Sequence, residues 1–191
     1  MSEVQIDWHG VTKVGKKGFL CGYCGLNVGP DEGYLSTSSA LRIFICPHCC
    51  QPTFFNGDRQ VPGVRFGSEV EHLPEDVGAV YEEARNCMSI SAFAAAAMLC
   101  RKILMNVAVS KGAKEGESFA YYVDFLAEKN FIPPDGKDWV GHVREKGNDA
   151  NHQIRLTSEA DAKNLLTFVE MLLRFVFDFP ARIDRPAAET S

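Results

Sequence analysis

The sequence lacks both a long uncharged apolar run and an N-terminal targeting signal. No stretch of about 18 or more apolar residues is free of charge, so no transmembrane helix is expected. The most apolar window, residues 165–179, is interrupted by Glu170, Arg174 and Asp178. The first residues have neither the charged start nor the apolar run of a signal peptide. These absences predict a cytoplasmic protein that does not associate with membranes.

The sequence also lacks an excess of positive charge. The 191 residues include 20 Lys and Arg against 25 Asp and Glu, which gives a formal net charge of −5. This balance excludes a protein that coats nucleic acid through bulk positive charge, although it leaves room for a local basic patch. Hydrophobic residues make up 46% and charged residues 24%, the proportions of a globular rather than a disordered chain.

Two C-x-x-C pairs carry the strongest chemical signal. Cys21-Gly-Tyr-Cys24 and Cys46-Pro-His-Cys49 are separated by 21 residues. This spacing lets both thiolates of a tight turn face one ion, and two such turns complete a tetrahedral site with Zn–S distances of about 2.3 Å. Since disulfides are disfavoured in a reducing compartment, we predict one structural Zn²⁺ per chain, held by Cys21, Cys24, Cys46 and Cys49.

Other roles for the cysteines remain open. Cys50 is adjacent to Cys49 and replaces it as the fourth ligand in one alternative. Redox activity is a second alternative, but redox-active C-x-x-C pairs occur singly at the start of a helix. Four thiolates close the coordination shell, so catalysis at the zinc is not expected. His48 is predicted to be a surface residue, and Cys87 and Cys100 to be small buried apolar residues.

Basic and aromatic residues near the cysteine pairs permit contact with nucleic acid. The basic candidates are Lys13, Lys16, Lys17, Arg42 and Arg59, and the aromatic ones are Tyr23, Phe44, Phe54 and Phe55. In the alternative interpretation the lysines are solvated surface residues without a ligand.

Composition and charge change together near residue 67. Residues 1–66 hold five of the seven cysteines and carry six Lys and Arg against five Asp and Glu, a formal charge of +1. Residues 67–191 carry fourteen Lys and Arg against twenty Asp and Glu, a charge of −6. Gly and Pro in the stretch 56–74 predict turns and a linker. We therefore predict a zinc-ribbon module with its linker at 1–66 and a helical domain at 67–191.

Helical periodicity dominates the second region. The predicted helices begin after Leu73, at Ser91, at Ser118, near Asp138, and at Thr157 or Ser158. The last of them is apolar on more than one face and is expected to end at Pro180. Such a helix is either central or shared with a second chain. The sequence thus predicts a mainly α fold, with a small N-terminal β zinc ribbon before an antiparallel helical bundle, and a homodimer through the helical region.

A polar stripe in this region has the components of a catalytic site. If the segment is helical, Arg144, Asn148 and His152 follow one another at intervals of four residues and lie on one face. Arginine can hold a phosphate, and histidine can exchange protons near neutral pH. These groups suit metal-independent RNA cleavage by attack of a 2′-OH on the adjacent phosphate. A hydrogen-bonded contact between helices is the structural alternative.

Several motifs resemble a known family, domain-of-unknown-function family 4145. They are Leu73-Pro74-Glu75-Asp76-Val77, Tyr81-Glu82-Glu83-Ala84-Arg85, residues 94–101, and Gly147-Asn148-Asp149-Ala150-Asn151-His152. The resemblance covers about residues 70–180, and an N-terminal zinc ribbon frequently accompanies the family. Its members resemble the HEPN superfamily of helical domains, and they recur in prokaryotic restriction and anti-phage systems.

The resemblance implies a HEPN-like accessory protein of a defence system that binds nucleic acid or a protein partner. It also implies two alternatives: a metal-independent endoribonuclease that uses Arg144, Asn148 and His152, and a dimerisation scaffold with no role in nucleic-acid binding. Active HEPN ribonucleases have an arginine just before the polar residue, where this chain has Gly147. Because Arg144 stands one turn earlier, the accessory function is favoured.

Overall fold

The structure, a computed structural model, describes residues 7–37, 40–132 and 157–183. The chain divides into two compact units, Met1–Arg65 with Ser89–Ser91, and Phe66–Met88 with Ala92–Ser191. Each unit has a hydrophobic core of its own.

Antiparallel strands build the N-terminal unit. Its described residues contain seven strands: β1 (Thr12–Lys13), β2 (Phe19–Leu20), β3 (Asn27–Val28), β4 (Glu32–Leu35), β5 (Leu41–Ile45), β6 (Pro52–Asn56) and β7 (Arg59–Val61). Five of them form one sheet in the order β1-β4-β5-β6-β7, and β2 pairs with β3 in a second sheet.

Three phenylalanines join the two sheets. Phe19 on β2 lies against Phe44 on β5 and Phe55 on β6, with ring centroids between 5.0 and 6.0 Å apart. Tilted and edge-on arrangements of this kind are favourable for aromatic rings. The same cluster contains Cys21, which follows β2, and Cys46, which follows β5. The core of the unit thus brings the two cysteine pairs together.

The close approach of β4 and β5 requires glycine at one position. Gly33 pairs with Phe44 across the two strands. A Cβ atom at Gly33 would lie 1.8 Å from the carbonyl oxygen of Ile43. Because both overlapping groups belong to the backbone, no rotation of a side chain relieves the clash, and any larger residue would separate the strands.

Helices build the second unit. In its described part they are α1 (Glu75–Ser89), α2 (Phe93–Ser110), α3 (Phe119–Glu128) and α4 (Glu159–Leu173), followed by a π-helical turn (Arg174–Asp178) and the short α5 (Phe179–Arg182). The helix α2 packs against both α3 and α4. Buried apolar residues from all four long helices form the core.

The predicted helix starts are confirmed in part. Ser118 and Ser158 cap α3 and α4, since each side-chain oxygen accepts a backbone N–H three residues later. The prediction for Ser91 is wrong, because this residue has a φ of +63° and α2 begins at Phe93. Pro180 does not end the last helix either: it lies in the first turn of α5, where its missing N–H is tolerated.

Hydrogen bonds fix part of the stretch that was predicted to be a linker. The Tyr81 hydroxyl donates to the carbonyl of Ser68 at 2.9 Å. The buried Arg85 donates to the carbonyls of Phe66 at 3.3 Å and Gly67 at 3.0 Å. Glu170 accepts from the backbone N–H of Ser68 at 2.9 Å. Residues 66–68 are therefore fastened to α1 and α4.

The predicted fold class, mainly α with a small β ribbon and a HEPN-like antiparallel helical bundle, is wrong. Helices account for 44% and strands for 15% of the described residues, and seven antiparallel strands lie in the N-terminal half, between residues 12 and 61. The chain is an α+β protein. The error lies in the tract Asn56-Gly57-Asp58-Arg59, whose glycine predicted a linker. In the structure Asn56 pairs with Arg59 across a two-residue turn, and Gly57 supplies the positive φ that such hairpin turns need.

One described helix has the length and composition of a membrane span. This helix is α2. A single helix of this kind is weak evidence for a membrane span, because the core helices of other proteins have the same length and composition. Its buried residues belong to the core of its own unit: Ala96, Cys100, Ile103, Leu104, Val107 and Ala108. Cytoplasmic residence stays a prediction.

Candidate metal centre

The four cysteines of the two C-x-x-C pairs lie in turns of the same geometry. The N–H of the first cysteine donates to the carbonyl five residues later, at 2.9 Å for Cys21 and 3.0 Å for Cys46. The N–H four residues after that cysteine donates back to its carbonyl, at 2.9 Å for both Gly25 and Cys50. Each turn therefore presents its two thiols in the same way.

The four thiols converge on one point. The Sγ atoms of Cys21 and Cys49 lie 3.7 Å apart, and those of Cys24 and Cys46 lie 3.8 Å apart. All four sulfur atoms lie within 4.8 Å of one another. A tetrahedral ion with Zn–S bonds of about 2.3 Å needs sulfur atoms about 3.8 Å apart. The cluster can therefore hold a metal ion with little movement.

Burial and backbone N–H groups shape the protonation of the thiols. Cys21 and Cys46 are buried, and Cys24 and Cys49 are half-buried. Burial raises the pKa of the Cys24 and Cys49 thiols, because it disfavours the charged form. Burial acts in the same direction on Cys46, but the N–H groups of Cys49 and His48, together with the thiols of Cys49 and Cys21, outweigh it and lower its pKa. Four thiolates in so small a volume need a cation to balance their charge.

Cys50 stands outside this four-sulfur group. It occupies the position that Gly25 has in the first turn, and both residues have a positive φ, +55° and +71°. The turn thus uses the backbone of Cys50, and the geometry offers Cys49 as the fourth sulfur. Of the other two cysteines, Cys100 is buried as predicted and Cys87 is half-buried. Burial raises the pKa of Cys87 and raises that of Cys100 to about 12.

Three of the residues that the sequence grouped as a nucleic-acid surface are buried or paired in the structure. Phe44 and Phe55 belong to the core of the N-terminal unit, with 0% and 4% exposed, so neither ring can stack on a base. The Lys13 ammonium pairs with Asp31 at 2.9 Å and with Glu32 at 3.1 Å. Phe44, Phe55 and Lys13 are therefore poorly placed for contact with a nucleic acid.

A second polar cluster, which the sequence did not reveal, lies in the helical unit. Asp178 is fully buried at the end of the π-helical turn, and its Oδ1 accepts from Arg182 Nε at 2.7 Å. The same Oδ1 lies 3.1 Å from Nδ1 of His72. Arg182 also pairs with Glu71 at 3.1 Å, and Arg174 lies 3.6 Å from Asp178 Oδ2. Because two guanidinium groups already balance the carboxylate, the cluster is an ion-pair network rather than a metal site.

The predicted catalytic stripe lies outside the described residues. Arg144, Asn148 and His152 all fall between residues 133 and 156, as does the helix predicted near Asp138. Their catalytic role stays a prediction.

The apolar last helix, which motivated the homodimer, has a partner in its own chain. Six residues of α4 are buried in the core of the helical unit: Ala162, Leu166, Phe168, Val169, Leu172 and Leu173. Large apolar side chains remain exposed beyond α4, at Phe175, Phe179 and Ile183. The homodimer stays a prediction.

Comparison with known proteins assigns the helical part of the chain. No curated protein and no solved structure matches the sequence. The family model for DUF4145, a domain of unknown function, matches residues 82–188. The match spans more than half of the chain and leaves the cysteine cluster outside. The chain therefore belongs to the DUF4145 family.

Proposed function

We propose that this chain is a zinc-binding accessory protein, related to the HEPN superfamily, that serves a prokaryotic anti-phage or restriction-type defence system by binding a partner. The observation that carries the proposal is the convergence of four cysteine sulfur atoms within 4.8 Å of one another. The defence setting rests on the resemblance of motifs in residues 70–180.

Zinc is the metal that this donor set favours. Four soft thiolates in tetrahedral arrangement are typical of structural zinc, and they leave no open position for a substrate or a reactive water. Bound to Cys21, Cys24, Cys46 and Cys49, the ion cross-links the turn after β2 to the turn after β5. Its chemistry is therefore structural, and the function of the N-terminal unit is to present a surface.

A protein is the partner that the surface favours. Phe44 and Phe55 are buried and Lys13 is engaged by two carboxylates, so these three of the nine candidate residues are poorly placed for stacking or for phosphate contact. The formal charge of −6 on residues 67–191 opposes nucleic acid as well. Nucleic-acid binding, which the sequence permits, is the less supported form of the proposal.

An RNA cleavage assay tests the accessory role against an enzymatic one. The full chain is incubated with fluorescently labelled RNA in buffer without added metal, and the RNA is expected to stay intact. The matched control is His152→Ala, which is expected to give the same result. Cleavage by the wild-type chain that is lost in His152→Ala would contradict the accessory role and favour the endoribonuclease.

A further inference from the structure

A cleft of about 330 Å³ opens in the N-terminal unit beside the second cysteine turn. Its lining combines apolar and acidic residues, among them Trp8, Val11, Ile45, Pro47, Asp31 and Glu32. The volume is at the lower end of the range for ligand sites, and it suits one extended side chain rather than a large cofactor. None of the described residues that line it is a Lys or Arg.

The aromatic wall of the cleft is fixed in position. Trp8 is half-buried, and its Nε1 donates to the carbonyl of Cys50 at 2.8 Å. Its ring also lies 6.2 Å from the ring of Tyr34. A partly exposed aromatic ring that is already held in place binds a ligand at small entropic cost, and its face attracts cations.

The acidic wall of the cleft keeps two exposed carboxylates. The side chains of Asp31 and Glu32 are 51% and 60% exposed, and one ammonium group, that of Lys13, serves both. Lys13 is in register with Glu32 across β1 and β4, so the sheet fixes this arrangement. The hydrogen bond from Lys13 lowers the pKa of Asp31, and the charge of Lys16 adds to the effect. Both carboxylates keep half or more of their side-chain surface exposed, so they stay accessible to a second cation.

We propose that this cleft binds a lysine or arginine side chain presented by a protein partner. The inference rests on the proposed function, and it specifies the kind of partner that the zinc-stabilised unit binds. The alkyl stem of the incoming residue packs against Trp8 and Ile45, and its cationic head meets Asp31 and Glu32. The two exposed carboxylates disfavour phosphate groups, which separates this occupant from RNA or DNA.

The test follows the indole N–H resonance of Trp8 in the ¹⁵N-labelled full chain, and Trp139→Phe assigns the two tryptophan signals. The probe is a blocked hexapeptide, Gly-Ser-Lys-Arg-Ser-Gly. The Trp8 resonance is expected to shift in a saturable way. The analogue with Glu and Asp in the central positions, and a single-stranded oligonucleotide of about ten nucleotides, are expected to leave it unchanged.

Variants connect the shift to the cleft. The double change Asp31→Asn with Glu32→Gln is expected to weaken peptide binding by roughly tenfold or more. Asp58→Asn, which alters an exposed carboxylate in the turn between β6 and β7, is the matched control and is expected to leave binding unchanged. Lys13→Gln removes the competing ammonium and is expected to tighten binding by roughly two- to fivefold, a gain that misfolding cannot imitate.

The outcomes separate this inference from the function on which it rests. Equal binding by the double variant and Asp58→Asn, unchanged or weaker binding by Lys13→Gln, or a Trp8 shift caused by the oligonucleotide would each overturn the cleft as a site for cationic side chains. A wild-type chain that holds one zinc but does not bind the peptide contradicts the cleft alone. A folded chain without zinc contradicts the proposed function.

Discussion

Replacing Cys49 with serine is expected to remove the metal and unfold the N-terminal unit. A serine hydroxyl stays protonated and is a poor zinc ligand, so the site keeps three thiolates instead of four. The core of this unit is small, and a structural zinc supplies about 10–16 kcal/mol of binding free energy in small domains, most of which is folding free energy. The helical unit has its own core and is expected to stay folded. Elemental analysis and circular dichroism check both parts.

Cys50→Ser is the matched control for this prediction. It makes the same chemical change one residue later, outside the four-sulfur group, and is expected to keep the zinc. Cys50→Gly is expected to stabilise the unit by about 1 kcal/mol, because the position has a φ of +55° that glycine adopts without strain. Equal loss of zinc from Cys49→Ser and Cys50→Ser would contradict the assignment of the fourth ligand.

Asp178→Asn is expected to lower the melting temperature of the helical unit by several degrees. The Asp178 carboxylate is fully buried, and it balances the guanidinium groups of Arg182 and Arg174. Asparagine removes the buried negative charge and its charge-assisted hydrogen bond to Arg182, although Arg182 keeps Glu71 and Arg174 keeps Glu170. Glu71→Gln is the control: it removes an exposed partner of Arg182, and exposed ion pairs contribute little. A similar loss in both variants would contradict the special role of the buried carboxylate.

The dependence of folding stability on acidic pH provides a second test of the role of Asp178. The hydrogen bond from Arg182 lowers the pKa of this carboxyl, and the contact with His72 adds to the effect. A group with a lowered pKa in the folded state stabilises the fold above its unfolded-state pKa of about 3.9. That stabilisation is lost as the pH falls through the folded-state value. The difference between wild type and Asp178→Asn should therefore shrink below about pH 4, and a constant difference down to acid unfolding would contradict the account.

Local sequence determines some features of this chain, and these are the ones that could be predicted. The spacing within each C-x-x-C pair determines the geometry of its turn. Two such pairs are enough to predict that Cys21, Cys24, Cys46 and Cys49 share one metal ion. Ser118 and Ser158 cap their helices through bonds to residues three positions later, which is equally local.

Contacts between distant residues explain what the sequence could not reveal. Trp8 depends on a hydrogen bond to a residue 42 positions away, and Asp178 contacts a histidine 106 positions away. The sequence therefore gave no sign of the acidic cleft or of the ion-pair network. The hairpin of β6 and β7 was missed for another reason: its Asn-Gly-Asp turn is a strand signal as well as a linker signal, and only pairing with β5 decides between them.

The zinc content of the freshly purified full chain tests the central claim most directly. Elemental analysis after dialysis against metal-free buffer is expected to give one zinc per wild-type chain, one per Cys50→Ser chain, and none for Cys49→Ser. A wild-type chain whose N-terminal unit is folded, but which carries no stoichiometric zinc, would contradict the account.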